Sequence, residues 1–354
     1  MREIFMPPAG KRQMLVSALL DWYGANGRHL PWRMRDGGHP DPYHVLLSEI
    51  MLQQTTVTAV IPYYQAFLAR WPDVCALASG RDEDVMQAWA GLGYYARARN
   101  LLRAAREICN NHDGRFPATA CELGTLPGIG PYTAAAVAAI AFGEAILPVD
   151  ANIARVSARL LEFSEPLPRG LEKLRKLAQG ICPEENAGDF CQAMMDLGAM
   201  VCTPRHPGCG ECPIQTFCKA GKSGNAEAFP VKSLKKQRPV EHGVFYVLED
   251  GSGQMAVRRR PPHGIWGGLL EIPSSGWRGA HALPQNFEAC AEWEDAENFR
   301  HVFTHFTLEM EWRRGVLLSQ EMGPPDVRFL PWQEVVRAGV PSPIAKGLRR
   351  MMGK

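Results

Sequence analysis

The sequence predicts a mainly helical N-terminal domain followed by a smaller α+β domain. In the N-terminal part, apolar residues recur at helical spacing, as in QMLVSALLDWYG (13–24), and PYTAAAVAAIAF (131–142) is rich in the strong helix former alanine. Beyond residue 240 the pattern changes, because HGVFYVLED and QMAVRRR flank the turn GSG as the strands of a β-hairpin do. A chain of 354 residues is long enough to bury two separate cores.

Composition indicates a protein that folds in water and binds no membrane. Hydrophobic residues make up 46% of the chain and charged residues 21%, which is typical of globular domains. No apolar run is long enough to span a bilayer, and the N-terminal segment MREIFMPPAGKRQ lacks a signal-peptide core. We therefore expect a cytoplasmic protein. The formal net charge of only +2 means that any surface for a polyanion has to be local.

The stretch LPGIGPYTAAAVAAIAF (126–142) combines a tight turn with a helix start. Gly128 and Gly130 permit positive φ, and Pro131 suits the first helical position. The free N–H groups of such a start, together with the helix dipole, favour a phosphate, and the carboxylate of Asp150 follows one helix later. These features indicate chemistry on a nucleic acid. The alternative is a plain turn before a buried helix, with Asp150 as an ordinary N-cap.

An acid stands within an apolar helical run in DPYHVLLSEIML (41–52). The first two residues form a helix start, with an aspartate N-cap and a first-turn proline. A carboxylate in a setting such as that of Glu49 has a raised pKa and can serve as a general acid. The alternative is a glutamate on the solvated face of an amphipathic helix. Uncharged amides come next, at Gln53 and Gln54, where they can bond base edges or cap the helix end.

Two short segments combine aromatic and cationic side chains. NGRHLPWR (26–33) holds two arginines and Trp32, which suits either stacking on a base or a place in the core. GLGYYARARN (91–100) sets glycines before paired tyrosines and two arginines, a composition suited to a wedge in a base stack with phosphate contacts behind it. Further along the chain, Arg155 and Arg159 are expected on the exposed side of a helix.

Four cysteines lie close together in a loop shaped by prolines and glycines. Cys202, Cys209, Cys212 and Cys218 are separated by six, two and five residues. In a reducing compartment such a group indicates a metal or a cluster rather than disulfides. The spacing alone fits either a four-iron cluster or tetrahedral zinc. The remaining cysteines have no ligand spacing and are expected to be buried packing residues: Cys75, Cys109, Cys121, Cys182, Cys191 and Cys290.

These motifs together resemble the adenine DNA glycosylase (MutY) family of helix-hairpin-helix DNA glycosylases. The resemblance rests on LLSEIMLQQT, GLGYYARARN, LPGIGPYTAAA, VDANIARV, QAMMDLGAMVC and the four-cysteine loop, and it covers about residues 10 to 225. RPPHGIWGGLLEIP and RHVFTHFTLEM resemble the Nudix-like domain of the same family. The implied organisation is a helix-hairpin-helix glycosylase domain over 1–225 with a [4Fe-4S] cluster loop at 202–218, a basic linker over 226–240, and a Nudix-like domain over 241–354 that recognises 8-oxoguanine.

The resemblance implies removal of adenine mispaired with 8-oxoguanine or guanine in double-stranded DNA, by an enzyme that flips the adenine into a pocket. Glu49 would be the general acid that protonates adenine as the N-glycosidic bond breaks, and Asp150 would stay ionised and stabilise the oxocarbenium-like sugar. Tyr132 stands where bifunctional relatives of the endonuclease III type carry a lysine, so we expect no Schiff base and a monofunctional enzyme. The expected state is a monomer in the bacterial cytoplasm, held at the nucleoid through DNA.

The family pattern also assigns the remaining site residues. Those of the adenine pocket are Arg28, Trp32, Arg33, Gln192 and Asn152. Those that contact DNA are Gln53, Gln54, Tyr94, Gly128, Gly130 and Thr133. Those that would read 8-oxoguanine on the opposite strand are Phe303, Thr304 and His305. Those that would hold the [4Fe-4S] cluster are Cys202, Cys209, Cys212 and Cys218.

Three other functions fit parts of the sequence. One is a bifunctional glycosylase and AP lyase of the endonuclease III type, which the missing lysine disfavours. Another is a non-catalytic iron–sulfur protein that binds DNA. The third is a Nudix pyrophosphohydrolase, but the paired acids of the Nudix signature do not follow Glu271, so we expect no nucleotide hydrolysis.

Overall fold

The computed structural model describes residues 9–34, 38–233, 237–261, 264–303, 305–319 and 326–352. The chain divides into two compact units, Met1–Leu234 and Lys235–Lys354. The first unit is helical and the second is built on a β-sheet, which confirms the predicted combination of a mainly α part and an α+β part. In the part of the chain that the structure describes, no helix is both long and apolar enough to cross a bilayer.

The α-helices of the first unit are α1 (Ala9–Asn26), α2 (Pro42–Leu52), α3 (Val57–Arg70), α4 (Val74–Ala78), α5 (Asp82–Ala88), α6 (Ala96–Asn111), α7 (Ala120–Leu123), α8 (Pro131–Phe142), α9 (Ala151–Leu161), α10 (Leu171–Gln179), α11 (Ala187–Met200) and α12 (Lys219–Lys222). Short 3-10 helices occur at Cys209–Glu211, Gln215–Phe217 and Ala226–Ala228. The predicted helix starts are confirmed, since Asp41 caps α2 and Pro131 is the first residue of α8. Such starts are predictable because a cap acts on backbone groups within about three residues.

Two hydrophobic cores lie within this unit, and α8 contributes to both. One core packs α8 with α2, α3 and α6 around large side chains such as Phe67 and Trp89. Ala139 of α8 belongs to the second core, which also takes residues from α1, α9 and α11. Helix α11 approaches α8 so closely that a Cβ atom on Gly188 would lie 2.8 Å from the carbonyl oxygen of Ala139. The alanines of α8 and this glycine therefore allow the two backbones to meet.

The cysteines outside the cluster loop differ in part from the prediction. Cys75 on α4 and Cys109 on α6 form a disulfide, with their Cα atoms 5.7 Å apart and a sequence separation of 34 positions. Cys121 is exposed. The expectation of buried packing residues is wrong for these three, because the packing of α4 on α6 is a tertiary contact that cysteine spacing does not reveal. The other three, Cys182, Cys191 and Cys290, are buried.

The strands of the second unit are β1 (Val240–Glu249), β2 (Met255–Arg259), β3 (Leu270–Glu271), β4 (Ser274–Ser275), β5 (Ala291–Asp295), β6 (Phe299–Val302), β7 (Thr307–Leu317) and β8 (Arg328–Leu330). The sheet runs in the order β3-β2-β1-β7-β5, while β4 pairs with β1, β6 with β7 and β8 with β2. Strands β1 and β7 are parallel, in a register from Val240↔Thr307 to Glu249↔Val316. The predicted hairpin of β1 and β2 is confirmed as an antiparallel pair.

Two helices, α13 (Trp332–Arg337) and α14 (Ser342–Met352), pack with this sheet. The apolar residues of α14 share a core with Trp312 of β7. Gly347 allows this contact, because a Cβ atom there would lie 2.6 Å from the Trp312 ring. A smaller core lies around Tyr246, whose side chain leaves β1 on the face opposite to that of its neighbour Phe245.

Candidate active site and cluster loop

A cavity of about 380 Å³ lies in the helical unit, beside the first turns of α8 and α9. The predicted site residues that line it are Arg28, Trp32, Arg33, Glu49, Gln53, Gln54, Tyr132, Asp150, Asn152 and Gln192. The fold thus brings the predicted catalytic and adenine-pocket residues into one cavity, although they are spread over most of the first two hundred positions of the chain. Other predicted DNA contacts, namely Tyr94, Gly128, Gly130 and Thr133, lie outside its walls.

Glu49 is a buried acid in the wall of this cavity. Its side chain leaves the last turn of α2 and the residue is only 8% exposed. The hydroxyl of Tyr132 donates a hydrogen bond to Glu49 Oε2 at 2.8 Å. Burial raises the pKa of Glu49 to about 7; the charge of Asp150 adds to the rise, and the Tyr132 hydrogen bond and the Arg33 charge oppose it. The carboxyl group is therefore protonated in a large fraction of molecules near neutral pH.

Asp150 occupies the N-cap of α9, as one of the two sequence alternatives stated, and also faces the cavity. Its Oδ1 accepts a hydrogen bond from the backbone N–H of Ile153 at 2.6 Å, and its Oδ2 accepts one from Asn152 Nδ2 at 3.0 Å. Burial raises the pKa of Asp150, while these hydrogen bonds and the charge of Arg155 oppose the rise. Cap and site residue are thus one and the same group.

Two arginines of the cavity wall share one buried partner, Asp196 of α11. Arg33 donates from Nη1 to Asp196 Oδ2 at 2.7 Å and from Nη2 to Oδ1 at 2.9 Å. Arg28 adds bonds from its backbone N–H and its Nε, both at 2.7 Å. Burial alone would raise the pKa of Asp196, but the two arginines leave it below its usual range. Sequence reasoning missed Asp196, although an acid within the apolar run QAMMDLGAM carries the same signal that singled out Glu49.

Trp32 and Gln192 belong to the cavity wall and to the hydrophobic interior at the same time. Trp32 is buried and packs edge-to-face on Tyr64, with ring centroids 5.3 Å apart. Gln192 of α11 is buried as well, and its Nε2 donates to Asp189 Oδ1 at 3.4 Å. The core position and the site position that the sequence offered as alternatives for Trp32 are therefore combined in one residue.

Arg97 joins the two turns that carry Gln54 and Tyr94. Its guanidinium donates to the carbonyl oxygens of Ile50, Met51 and Gln53, to Thr55 Oγ1, and to the carbonyl oxygens of Leu92 and Gly93, at 2.6 to 3.2 Å. Arg97 is buried, so its predicted role behind the wedge as a phosphate contact is wrong. Gln54 and Tyr94 both have left-handed backbones, with φ of 58° and 48°. Strained residues of this kind persist where the surroundings hold them.

The turn before α8 uses its two glycines differently from the prediction. Gly128 has φ of 75°, and a Cβ atom there would lie 2.4 Å from the side chain of Asn100 on α6. Gly130 instead has φ of −86° and serves as the N-cap of α8, so positive φ is wrong for this glycine. The side chain of Thr133 is buried and its Oγ1 accepts from Gln53 Nε2 at 3.3 Å. The hydroxyl of Thr133 is therefore engaged within the protein.

The four cysteines of the cluster loop are free thiols that line a cavity of about 20 Å³. Two donors point at their sulfurs, since Gly221 N lies 3.3 Å from Cys218 Sγ and Arg159 Nη1 lies 3.3 Å from Cys202 Sγ. Such donors stabilise thiolate ligands. In the described part of the chain, no three His, Cys, Asp or Glu side chains are grouped as ligands of a single metal ion. The sulfurs surround a space rather than a point, and that arrangement fits a cluster.

Arg159 of α9 packs under the cluster loop with its side chain buried, so the expectation that it is exposed is wrong. The residue is 1% exposed. Its guanidinium donates to the carbonyl oxygens of Cys202, Thr203, Pro204 and Phe229 at 2.7 to 3.2 Å. The accepting carbonyls lie 43 to 70 residues further along the chain, so the local sequence could not place them.

Phe303 and His305, two of the residues predicted to read 8-oxoguanine, lie between β6 and β7. Phe303 N donates to the carbonyl oxygen of Phe306 at 2.9 Å, and the two rings stack with centroids 4.4 Å apart. His305 is exposed, and Thr304 lies outside the described residues. The turn therefore presents His305 to solvent while Phe303 packs against the core of the sheet.

Glu271 of β3 is enclosed by positive charge. It is 2% exposed and pairs with Arg258 Nε at 3.0 Å, with His281 Nδ1 at 3.0 Å and with Arg260. Its carboxylate oxygens thus face two guanidinium groups and one imidazole within the protein.

Three family models match the chain. Residues 47–180 match the HhH-GPD superfamily base excision DNA repair protein, residues 202–218 match the iron–sulfur binding domain of endonuclease III, and residues 243–350 match the NUDIX domain. The second match confirms the prediction of an iron–sulfur site at the four cysteines, which their spacing alone had left open against zinc. The cofactor of this loop is the [4Fe-4S] cluster.

Relatives of known name cover most of the chain. Adenine DNA glycosylase from Homo sapiens is 34% identical over 403 residues, covering 95% of this chain and 74% of the relative. The protein of the same name from Buchnera aphidicola (subsp. Schizaphis graminum) is 33% identical and covers 82% of this chain and 84% of the relative. The protein of the same name from Mycolicibacterium smegmatis is 40% identical over 242 residues and covers 66% of this chain and 80% of the relative.

Among solved structures, a thermostable thymine-DNA glycosylase is similar with a TM-score of 0.54 and 31% identity, over 60% of this chain and 98% of its own. A trapped endonuclease III–DNA covalent intermediate, with a TM-score of 0.50 and 24% identity over the same share, has the same fold. The cavity with its two carboxylates, the cluster loop and the relatives agree: the chain belongs to the adenine DNA glycosylase family of helix-hairpin-helix base excision repair proteins.

Proposed function

We propose that this chain is a monofunctional glycosylase that removes adenine mispaired with 8-oxoguanine or guanine in double-stranded DNA. The observation that supports the proposal most is the cavity in which Glu49, Asp150 and Tyr132 meet, with the pKa of Glu49 raised by burial to about 7. Membership of the family indicates that adenine is the nucleobase removed. The cavity contains the acid, Glu49, which is protonated near neutral pH.

The adenine reaches this cavity by leaving the DNA helix. A volume of about 380 Å³ lies within the range of small-ligand sites and accommodates a purine. Gln54 lines the cavity, and Tyr94 is 57% exposed. Arg97 joins the turn that carries Tyr94 to the turn that carries Gln54. We assign to these two side chains, Gln54 and Tyr94, the gap in the base stack that the adenine leaves.

Glu49 acts as the general acid in bond cleavage. Because Tyr132 donates to Oε2, Oε1 is the oxygen that carries the acidic proton. This proton passes to a ring nitrogen of adenine as the N-glycosidic bond breaks, and the bonding electron pair leaves with the base. The resulting Glu49 carboxylate accepts a proton from the water that adds to the sugar carbon, which restores the acid.

Asp150 stabilises the positive charge that develops on the sugar. The hydrogen bonds from Ile153 N and Asn152 Nδ2 favour its ionised form. Its negative charge also contributes to the raised pKa of Glu49. One carboxyl group thus serves as a protonated acid while the other serves as an anion.

The chain lacks the group that a lyase reaction requires at this site. Tyr132 carries no amine, and among the described residues that line the cavity none is a lysine. Without an amine no Schiff base forms, so the reaction ends with an abasic sugar in an intact strand. With the cluster bound, its four thiolate ligands hold the shape of loop 202–218, and the chemical steps belong to Glu49 and Asp150.

We assign recognition of the opposite base to the C-terminal part of the chain. The bounds predicted from sequence give a glycosylase domain over 1–225, a linker over 226–240 and a Nudix-like domain over 241–354. Thr304 and the exposed His305 supply hydrogen-bonding groups for 8-oxoguanine, and Phe303 supplies an aromatic face. The protein works as a monomer in the bacterial cytoplasm.

The test is single-turnover base release from a duplex with one adenine opposite 8-oxoguanine, assayed with and without alkali. Wild type is expected to give strand cleavage at the adenine only after alkali. Glu49→Gln is expected to bind the duplex but to release adenine more slowly than wild type, by a factor of about a hundred or more. General acid catalysis contributes on that order. Glu83→Gln, an exposed glutamate on α5, is the matched control and should behave as wild type.

Two results would contradict the proposal. Tight binding by wild type without release of adenine from any mispair would leave the family resemblance without the proposed activity. Cleavage without alkali, trapped by borohydride, would establish a lyase with an amine outside this cavity.

A further inference from the structure

Asp196 is a buried acid that lies behind the cavity wall. Its side chain is fully buried, and it accepts hydrogen bonds from Arg28 and Arg33 on both of its oxygens. Arg33 is itself buried, with a side chain 4% exposed, whereas that of Arg28 is 30% exposed. Two guanidinium groups and one carboxylate therefore form a unit with a net charge of +1 at the edge of the cavity.

This unit acts electrostatically on Glu49. The positive charge of Arg33 lowers the pKa of Glu49, which disfavours the protonated form that an acid catalyst needs. Asp196 lies in contact with Arg33 and carries the opposite charge, so it offsets part of this effect. The other groups that act on Glu49 are Tyr132 from α8, Asp150 at the start of α9 and Cys191 from α11, while Arg97 from α6 meets the carbonyl end of α2.

We infer that Asp196 is a positioning residue for base excision: it fixes Arg28 and Arg33 in the cavity wall and neutralises one of the two positive charges beside the catalytic acid. The inference rests on the proposed role of Glu49. It assigns to Asp196, a residue outside the cavity lining, the task of keeping Glu49 protonated at neutral pH while two arginines line the same cavity.

The test is the pH profile of single-turnover adenine release for wild type and three variants. Asp196→Asn keeps the shape of the side chain but leaves the unit at +2, so the alkaline limb of the profile should move to lower pH by about one unit. Release should then fall about tenfold at about pH 8 and less than about twofold at about pH 5.5. Arg33→Gln leaves the unit neutral and should move the limb to higher pH. The double variant Asp196→Asn/Arg33→Gln restores +1 and should return the limb to its wild-type position.

Controls separate charge from folding. Glu185→Gln removes the same charge from an exposed position before α11 and should leave the limb unchanged. The visible absorption of the cluster and the melting temperature show whether each variant is folded. If Asp196→Asn does not fold, the inference is judged by the shift of the alkaline limb in Arg33→Gln. An equal loss of rate at every pH, or a limb that does not move in Arg33→Gln, would overturn the inference. Absence of adenine release by wild type at every pH would instead refute the proposed function.

Discussion

Arg97 gives the sharpest test of how the site is assembled. The perturbation is Arg97→Lys, which keeps the charge but replaces a planar group with a point-like one. Arg97 reaches six acceptors with the four N–H groups of Nη1 and Nη2, so some of these bonds share a hydrogen. The single nitrogen of a lysine can take the place of Nη1 or of Nη2 but not of both, so the bonds of two N–H groups are lost. At about 0.5 to 1.5 kcal/mol for each N–H group, the free energy of unfolding should fall by about 1 to 3 kcal/mol. That is a large fraction of the about 5 to 15 kcal/mol by which proteins are stable.

The same change should impair excision more than stability alone explains. The lost bonds hold the turns of Gln54 and Tyr94, whose left-handed backbones cost about 1 to 3 kcal/mol each and need support from their surroundings. Small displacements in a positioned site reduce rates by up to about a hundredfold. We therefore expect flipping of a fluorescent adenine analogue and single-turnover release to slow about tenfold or more, in conditions where the variant is fully folded.

The assays are urea unfolding followed by circular dichroism, and excision from an adenine:8-oxoguanine duplex. Arg103→Lys is the matched control, because Arg103 lies exposed on the same helix and should change stability by less than about 0.5 kcal/mol. An Arg97→Lys protein with wild-type stability and wild-type release would refute the assignment of Arg97 as the link between the two turns.

Three further predictions follow from single contacts. Gly128→Ala should destabilise the protein by about 1 to 3 kcal/mol in urea unfolding, because φ is 75° and a Cβ atom would lie 2.4 Å from a side chain of α6, whereas Gly130→Ala, with φ of −86° and open space, should be nearly neutral. Arg159→Lys should lower both the iron content per protein and the stability, the latter by about 1 to 3 kcal/mol, since a lysine cannot replace all the bonds to the cluster loop; full iron content would contradict this. Tyr132→Phe removes a hydrogen bond that lowers the pKa of Glu49, so the alkaline limb of the excision profile should move to higher pH, and a shift to lower pH would refute that reading of the bond.

The features that could be predicted from the sequence are those whose cause is local. Asp41 and Pro131 mark helix starts because caps and first-turn prolines act on the nearest backbone groups. Glu49 stood out because an acid with apolar neighbours in a helical run acquires a raised pKa when it is buried, although the sequence left a solvated position open. The four cysteines predicted a ligand set because they follow one another within a single short loop, which keeps their sulfurs close together.

The features that could not be predicted depend on acceptors far away in sequence. Arg97 and Arg159 were expected at the surface because an arginine in an amphipathic helix usually reaches solvent, yet both are buried on sets of carbonyl groups that only the tertiary fold assembles. Asp196 shares with Glu49 the signal of an acid in an apolar run. What separates a catalytic acid from the partner of an arginine is the identity of neighbours 163 and 168 residues away.

The different tasks of the two carboxyl groups arise from where each stands on its helix. Glu49 leaves the last turn of α2, where the backbone N–H groups are already bonded within the helix, so burial is not offset by backbone donors and its pKa rises to about 7. Asp150 stands at the N-cap of α9, where unpaired N–H groups and the positive end of the helix dipole are available, and it takes one of those donors at 2.6 Å. The position of each carboxyl group along its helix, and not the choice between aspartate and glutamate, therefore determines which group is protonated and which is ionised. Exchanging aspartate and glutamate at these positions should therefore alter reach and rate, but the group on α2 should remain the one that titrates near neutral pH.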